Sequence, residues 1–328
     1  MKKISRTFIG ILVAAFFVWL IFKNINFHDL LFNFKQVKIS YIAGAIFVFF
    51  AGYCCRIERW RLMLLQENPR LQWENCAGPL MASVAANNVL PFRAGDILRA
   101  FAFNRRLEIS ASTSLTSLFV ERLLDLLMVV SFLGIALTYF GMDSSALVGV
   151  GGSVLLFAAI SILFLLLFPG AFRRPAFFIS DLIYKLNARL GTKFKEVLLK
   201  IFVALDHTSQ KTTISKLVLW SFLAWICEGL VFWFVALSLP DISNDLASWV
   251  ALPVGTLATV IPSTPGYVGT FDYFTAQSMI AMGNSTTSSV AFAFIVHAVL
   301  WLPPTLVGGI YLIANPIKKS KELRKNYD

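Results

Sequence analysis

Apolar runs long enough to cross a bilayer recur along this chain, and nothing else in it constrains the fold so tightly. A membrane-crossing helix needs about 20 mainly apolar residues. Inside lipid the backbone finds no water to bond, so only helices or closed barrels can span it. Runs of sufficient length fit near 5–22, 39–55, 112–140, 146–168, 215–239 and 288–313. Of the 328 residues, 57% are hydrophobic and 14% charged, whereas a soluble domain stands nearer 45–50% and about 25%. The chain therefore reads as an all-α polytopic membrane protein, with about six full spans in a single transmembrane domain over 1–328. Its first run follows MKKISR and leads into Lys23, Asn24 and Ile25 rather than a small-residue cleavage site. That pattern predicts an uncleaved first span rather than a signal peptide.

The distribution of Lys and Arg sets the orientation. Placing the N-terminus in the cytoplasm puts 25 of the 29 basic residues on that side, the bias that governs topology. The external connections then hold only Lys23, Lys35 and Lys38, and Arg122 falls inside the third span. Both termini are thus expected inside, at the cytoplasmic (inner) membrane of the cell. The same bias accounts for the net charge of +11, which gives no reason to expect nucleic acid. The segment 170–216 contains FFISDLIYKL and FKEVLLKIFVAL, with apolar residues at helical spacing among basic ones. It reads as an amphipathic pair on the inner leaflet; ordinary positive-inside topology accounts for its charge equally well.

Two further apolar stretches are interrupted by proline and glycine. With this orientation, a broken hairpin over 76–108 leaves and regains the cytoplasmic face, while another over 248–282 enters and leaves from outside. The first half (about 1–145) and the second (about 215–315) are then related by inverted topology, and VLPFRAGD echoes VIPSTPGY. Non-helical backbone at membrane depth persists only where protein buries it or it lines a watery cavity. Paired interruptions of this kind point to a transporter's binding site.

The first break, NNVLPFRAGDILR at 87–99, offers Asn87, Asn88, Arg93, Asp96 and Arg99 around Pro91 and Gly95. Proline removes an amide donor and glycine permits unusual angles or close approach. The planar guanidinium fork suits phosphate; the alternative is that Arg93 and Arg99 only mark the cytoplasmic interface. In FVERLLDLL at 119–127, Glu121 and Asp125 share a helical face, with Arg122 one turn from Asp125. Charges within a span are costly, so function is the default reading and a partner is sought. Arg122 is expected to pair with Asp125, and Glu121 with Arg93 or Arg99; a purely structural cluster is the alternative. Glu228, in WICEGLVFW, has no basic neighbour in sequence and reads as a proton carrier, a cation's partner or a hydrogen-bonded strut. The second break, TVIPSTPGYVGTFD at 259–272, is punctuated by Pro262, Pro265, Gly266 and Gly269. Amides freed after Pro265 suit an anion. Asp272 follows in the first turns of the returning helix, where a carboxylate also serves as a cap.

Four cysteines (Cys54, Cys55, Cys76, Cys227) lack CxxC spacing and read as small buried hydrophobes. The histidines His28, His207 and His297 are far apart, so no metal site and no cofactor are expected.

At the two breaks and the charged span the sequence resembles the lysylphosphatidylglycerol synthase transmembrane (flippase-like, UPF0104) family. NNVLPFRAGDILR, SLTSLFVERLLD and PSTPGYVGTFD carry the likeness, which covers about residues 7–315. The family pattern is Asn, then Leu-Pro-x-Arg-x-Gly-Glu/Asp-x-x-Arg, then Glu-Arg-x-x-Asp, then a Pro- and Gly-rich loop ending in an acid. Asp96 and Asp272 stand where many relatives have Glu. Members are proposed to move lipids between leaflets, and some are fused to a soluble aminoacyltransferase domain. After the last span here only ANPIKKSKELRKNYD follows, too short for such a domain. The resemblance implies a lipid translocase for a polar- or anionic-headgroup lipid, with no Walker motif for direct ATP use. Two other readings stand beside it: a non-catalytic subunit recruiting a cytoplasmic lipid- or glycan-modifying enzyme, and an enzyme using Glu121 and Asp125 as acid and base. A second copy of the chain is a further candidate partner.

Overall fold

The structure is a computed structural model that describes residues 2–23, 25–141, 151–208, 211–261 and 264–316. Among the described residues there are helices and turns but no strand. α1 (Lys2–Phe22) and α2 (Phe27–Lys35) lead into the long α3 (Ile39–Leu64). α4 (Trp73–Val89) and α5 (Ala94–Phe101) enclose a single 3₁₀ turn at Pro91–Arg93, and the short α6 (Asn104–Leu107) precedes α7 (Ala111–Tyr139). α8 (Gly152–Leu167), α9 (Pro169–Leu186) and α10 (Ala188–Thr208) follow. α11 (Lys211–Ser238), α12 (Ser248–Ala258), α13 (Thr270–Ala281) and α14 (Thr286–Ala314) complete the described chain.

α3, α11 over Thr213–Ser238, and α14 are long and apolar enough to cross a membrane by themselves. Two bent pairs bring the number to five: α1 with α2, turned by 87°, and α8 with α9, turned by 101°. α7, at 29 residues, is about 44 Å long, more than the ~30 Å hydrocarbon core requires. The protein is an all-α, multi-pass membrane protein. α9 and α10 pack against each other after the bend, with Phe178, Ile179, Leu182, Leu186 and Leu190 standing exposed.

The two halves repeat with a constant offset. α3 (39–64) corresponds to α11 (211–238), their C-terminal ends displaced by the 174 residues that separate Arg93 from Tyr267. The same displacement carries Pro79, Pro91 and Gly95 onto Pro253, Pro265 and Gly269. Packing follows the correspondence: α3 lies against α11, α4 against α14 as α12 lies against α7, and α5 against α7 as α13 lies against α14. The equivalent residues Arg93 and Tyr267 both adopt positive φ, 51° and 62°, and hydrogen-bond to each other at 2.8 Å. A contact between equivalents places that pair beside the axis relating the halves.

Each break has a local cause. Leu90 is extended, at φ −97° and ψ 145°, as the residue before a proline prefers. The turn then closes so tightly that a Cβ on Gly95 would collide with the Ser83 carbonyl oxygen and lie 2.7 Å from Asn87 Oδ1. In the second break Pro262 lies outside the described residues. Beyond it, Pro265–Tyr267 forms a 3₁₀ turn with Gly266 at φ 73°, and Gly269 at φ 89° starts α13.

One boundary differs from the sequence reading in a way that matters. The second span, expected to end at 55, continues as helix to Leu64. Arg56 and Arg59, counted as cytoplasmic basic residues, are thereby carried into the protein interior, where carboxylates of other helices meet them.

Candidate functional site

Between the halves lies a cavity of about 270 Å³, lined from both breaks and from α3, α7 and α11. Five guanidinium groups reach it, from Arg56, Arg59, Arg93, Arg99 and Arg122, and four carboxylates, from Asp96, Glu121, Asp125 and Glu228. The pairs form a chain. Arg56 is ion-paired with Glu228 and stands 4.0 Å from Asp125. Arg59, 1% exposed, donates to Asp125 Oδ1 at 2.8 Å and to Ser221 Oγ at 3.0 Å. Arg122 reaches Asp125 at 3.6 Å, Glu121 at 3.5 Å and Asp96 at 3.1 Å. Arg99, also buried, donates to Glu121 at 2.9 Å with its guanidinium over the Trp60 ring.

The first break is locked to its own wall. Asn87 Nδ2 donates to Asp96 Oδ1 at 2.9 Å, and the Asp96 amide returns a bond to Asn87 Oδ1 at 3.2 Å. Asn88 Nδ2 bonds Thr305 Oγ1 at 2.8 Å, while the Trp301 indole donates to the Asn88 carbonyl. Arg93 is different. Its Nε donates to the Tyr267 hydroxyl, and it reaches Thr259 Oγ1 at 3.4 Å, but it forms no ion pair among the described residues. With five cations against four anions, Arg93 is the surplus positive charge, held in a left-handed conformation that only strong local constraint sustains.

The sequence-derived residues therefore divide. Arg99 with Glu121, Arg122 with Asp125, and Asn87 with Asp96 are brought into direct contact. Glu228 has a cation partner, Arg56, supplied from α3. Asp272 stands apart from this cavity: its Oδ2 accepts from the Gly269 amide at 2.9 Å, and its Oδ1 lies 2.7 Å from His297 Nδ1. Pro91 and Gly95 shape the first turn, and Pro265, Gly266 and Gly269 the second. Arg56, Arg59, Tyr267 and His297 were missed as site residues. The signal for the arginines was their i, i+3 spacing, which sets both on one helical face beside intramembrane acids short of cations. For His297 it was an ionisable group inside an apolar span. Among the described residues no group of three His, Cys, Asp or Glu could hold a metal ion.

A separate apolar groove has a volume of about 660 Å³. α7 and α11 line both spaces, with Leu127, Phe132, Ile135, Phe222 and Ile226 on the apolar side.

A family model described as the lysylphosphatidylglycerol synthase TM region matches residues 7–308. A UPF0104 membrane protein of Methanocaldococcus jannaschii is 25% identical over 73% of this chain and 98% of its own length. A second UPF0104 membrane protein, from Pyrococcus horikoshii, is 22% identical over 96% of this chain and 98% of its own. Glycosyltransferase AglD of Haloferax volcanii is 26% identical over 82% of this chain, which spans 48% of that protein.

Proposed function

Because the chain belongs to the lysylphosphatidylglycerol synthase TM-region family, we propose that it moves a lipid with an anionic, phosphate-bearing headgroup between the leaflets of the cytoplasmic membrane. The observation that carries this reading is the surplus cation. A network with one unpaired guanidinium facing a cavity is complete only when an anion joins it, and a planar fork matches phosphate oxygens. Arg93 and Arg122 are the groups that would take that anion: Arg93 has no carboxylate partner among the described residues, and the Arg122 side chain is 43% exposed. Arg99, Asn87, Asn88 and Asp96 hold the wall in shape, and the breaks around Pro91 and Pro265 supply the gate. A volume of about 270 Å³ lies just below the range of drug-sized ligand pockets. It suits a headgroup rather than a whole lipid. The acyl chains would lie in the apolar groove that α7 and α11 also line.

Both termini face the cytoplasm in this scheme, and α9 with α10 rests its exposed apolar side on the inner leaflet. A second reading, a membrane subunit serving a glycan-modifying enzyme, is favoured by the likeness to a protein named as a glycosyltransferase. Purified protein in liposomes separates the two. Leaflet exchange of fluorescent phosphatidylglycerol, lost in Arg122→Ala, supports translocation. Absence of exchange with several anionic lipids refutes it and favours the subunit, while chemical conversion of the lipid would point to an enzyme.

A further inference from the structure

Behind the ion-paired wall is a second chamber of about 150 Å³, lined by Asn88, Glu228, Thr256, Tyr267, His297 and Trp301 among others. Glu228 borders both spaces. On the far side, His297 Nδ1 meets Asp272 Oδ1 at 2.7 Å, with the Asp272 side chain only 2% exposed. A carboxylate at one ring nitrogen fixes the tautomer and leaves Nε2 to take or release a proton. The lining is mainly apolar, yet the polar groups of Asn88, Glu228, Thr256, Thr259 and His297 converge on it, and the volume is enough for water to bridge the imidazole and the carboxylate.

We propose that His297, backed by Asp272, exchanges a proton with Glu228 across this chamber, and that this proton decides whether Arg56 is held by Glu228 or released to an anion in the main cavity. The inference rests on the headgroup reading above and supplies its coupling ion. In the forward step the imidazolium Nε2–H gives its proton through bridging water to a Glu228 carboxylate oxygen. The imidazole becomes neutral, Glu228 becomes a carboxylic acid, and the Arg56–Glu228 ion pair is lost. Arg56 is then left with Asp125 at 4.0 Å, which Arg59 already engages at 2.8 Å. The main cavity changes from five cations against four anions to five against three. Proton and anion therefore bind together, and the linkage is reciprocal.

Among the described residues His297 bonds Asp272 from α13, and it shares the lining of the chamber with Glu228 from α11, Tyr267 from the second break and Asn88 from α4. Glu228 is ion-paired with Arg56 from α3, and Tyr53 from α3 and Asp125 from α7 line the main cavity with it. Behind Tyr267 stands Arg93.

The test uses the full chain in phosphatidylglycerol and phosphatidylcholine vesicles. Difference infrared spectra are taken between pH about 8 and about 5, where histidine titrates. A protonated-carboxyl band is expected that Glu228→Gln deletes. His297→Gln should displace its midpoint by a pH unit or more, about tenfold in proton affinity. Thr256→Leu, which fills the chamber while keeping both acids and the imidazole, should displace it in the same direction. Exchange of fluorescent phosphatidylglycerol should accelerate about tenfold on acidification in wild type and lose that dependence in His297→Gln. A band unmoved in both His297→Gln and Thr256→Leu, or superimposable pH profiles of exchange, overturns the proposal. A wild type that shows the band and its displacement yet exchanges no lipid leaves the proton pair supported and removes the transport reading instead.

Discussion

Replacing Arg93 by glycine should separate binding from stability, because the residue's two roles oppose each other. Its backbone at φ 51° and ψ 42° costs an L-residue about 1–2 kcal/mol, a cost that glycine removes. Against this stands the loss of the 2.8 Å bond from the charged guanidinium to the Tyr267 hydroxyl, about 1.5–3 kcal/mol net. The two terms offset to within about 2 kcal/mol, so the melting temperature should move by less than about 4 °C. Binding has no such compensation. A charge-assisted hydrogen bond from the guanidinium to a phosphate contributes about 1.5–3 kcal/mol, so affinity should fall about 10- to 150-fold.

The measurement is the affinity of purified protein for dihexanoyl phosphatidylglycerol, beside a thermal melt of the same sample. Arg106→Ala is the control, since it also removes one positive charge but from an exposed residue bonded to Tyr311 and Asn315. It should leave affinity within about twofold, given the screening of exposed charges. Arg93→Lys should fall between, keeping charge without the fork. Equal losses in Arg93→Gly and Arg106→Ala would mean that bulk charge, not the cavity, attracts the lipid. A melt lowered by much more than 4 °C would assign Arg93 to the fold.

Asp125→Asn should cost about 3–5 kcal/mol, because it leaves Arg59 charged and buried; Arg59→Met with Asp125→Leu should recover most of that loss in a thermal melt. A double variant no more stable than Asp125→Asn would sink this account. Gly95→Ala should lower stability by about 1–3 kcal/mol, since the added methyl meets the backbone of α4 rather than a movable side chain. An unchanged melt would show that α4 and α5 can separate freely. Glu67, outside the spans, is held below its ordinary value of 4.5 by hydrogen bonds from Thr113 and Ser110 at the start of α7. Its folded value is depressed, so its contribution is present above about 4.5 and is lost as pH falls through the lower folded value. Wild type should therefore melt above Glu67→Gln at pH 7 and converge with it in acid, by a small margin because the group is largely in water.

What the sequence displayed and what it hid follow from one physical distinction. Pro91, Gly95, Pro265 and Gly269 act on their own backbone, so the breaks could be read where they occur. Arg122 and Asp125 lie one turn apart and meet without help from the rest of the fold. The partner of Glu228 could not be found in this way, because Arg56 is 172 residues distant and stands just where an apolar run ends. Positive charge at the end of a span ordinarily marks the membrane surface. Only a third dimension reveals that α3 continues and turns Arg56 and Arg59 toward α7 and α11. The His297–Asp272 pair was obscured likewise, because each residue had a sufficient local explanation, an apolar helix for one and a helix cap for the other.

The repeat is symmetric in frame and asymmetric in charge, and the asymmetry decides what a rearrangement would break. Displaced by 174 residues, Asp96, Arg99, Glu121, Arg122 and Asp125 fall on Thr270, Tyr273, Ile295, Val296 and Val299. The ionic chemistry thus belongs mainly to the first half. Arg99–Glu121, Arg122–Asp96, Arg122–Asp125 and Arg59–Asp125 all lie within it and would travel as a unit. Of the five cavity arginines, Arg56 has its carboxylate across the boundary, on Glu228, and Arg93 reaches across to Tyr267 and Thr259. A rocking of one half against the other, the usual motion of such repeats, would therefore leave the buried pairs intact. It would part Arg56 from Glu228, Arg59 from Ser221 and Arg93 from Tyr267 and Thr259, leaving Arg56 only Asp125 at 4.0 Å, and an anionic headgroup between the halves would replace those contacts. Under the proposed lipid translocation, the cost of opening would be lowest with lipid bound, which would couple motion to cargo by the differential affinity that any ligand-driven transition requires.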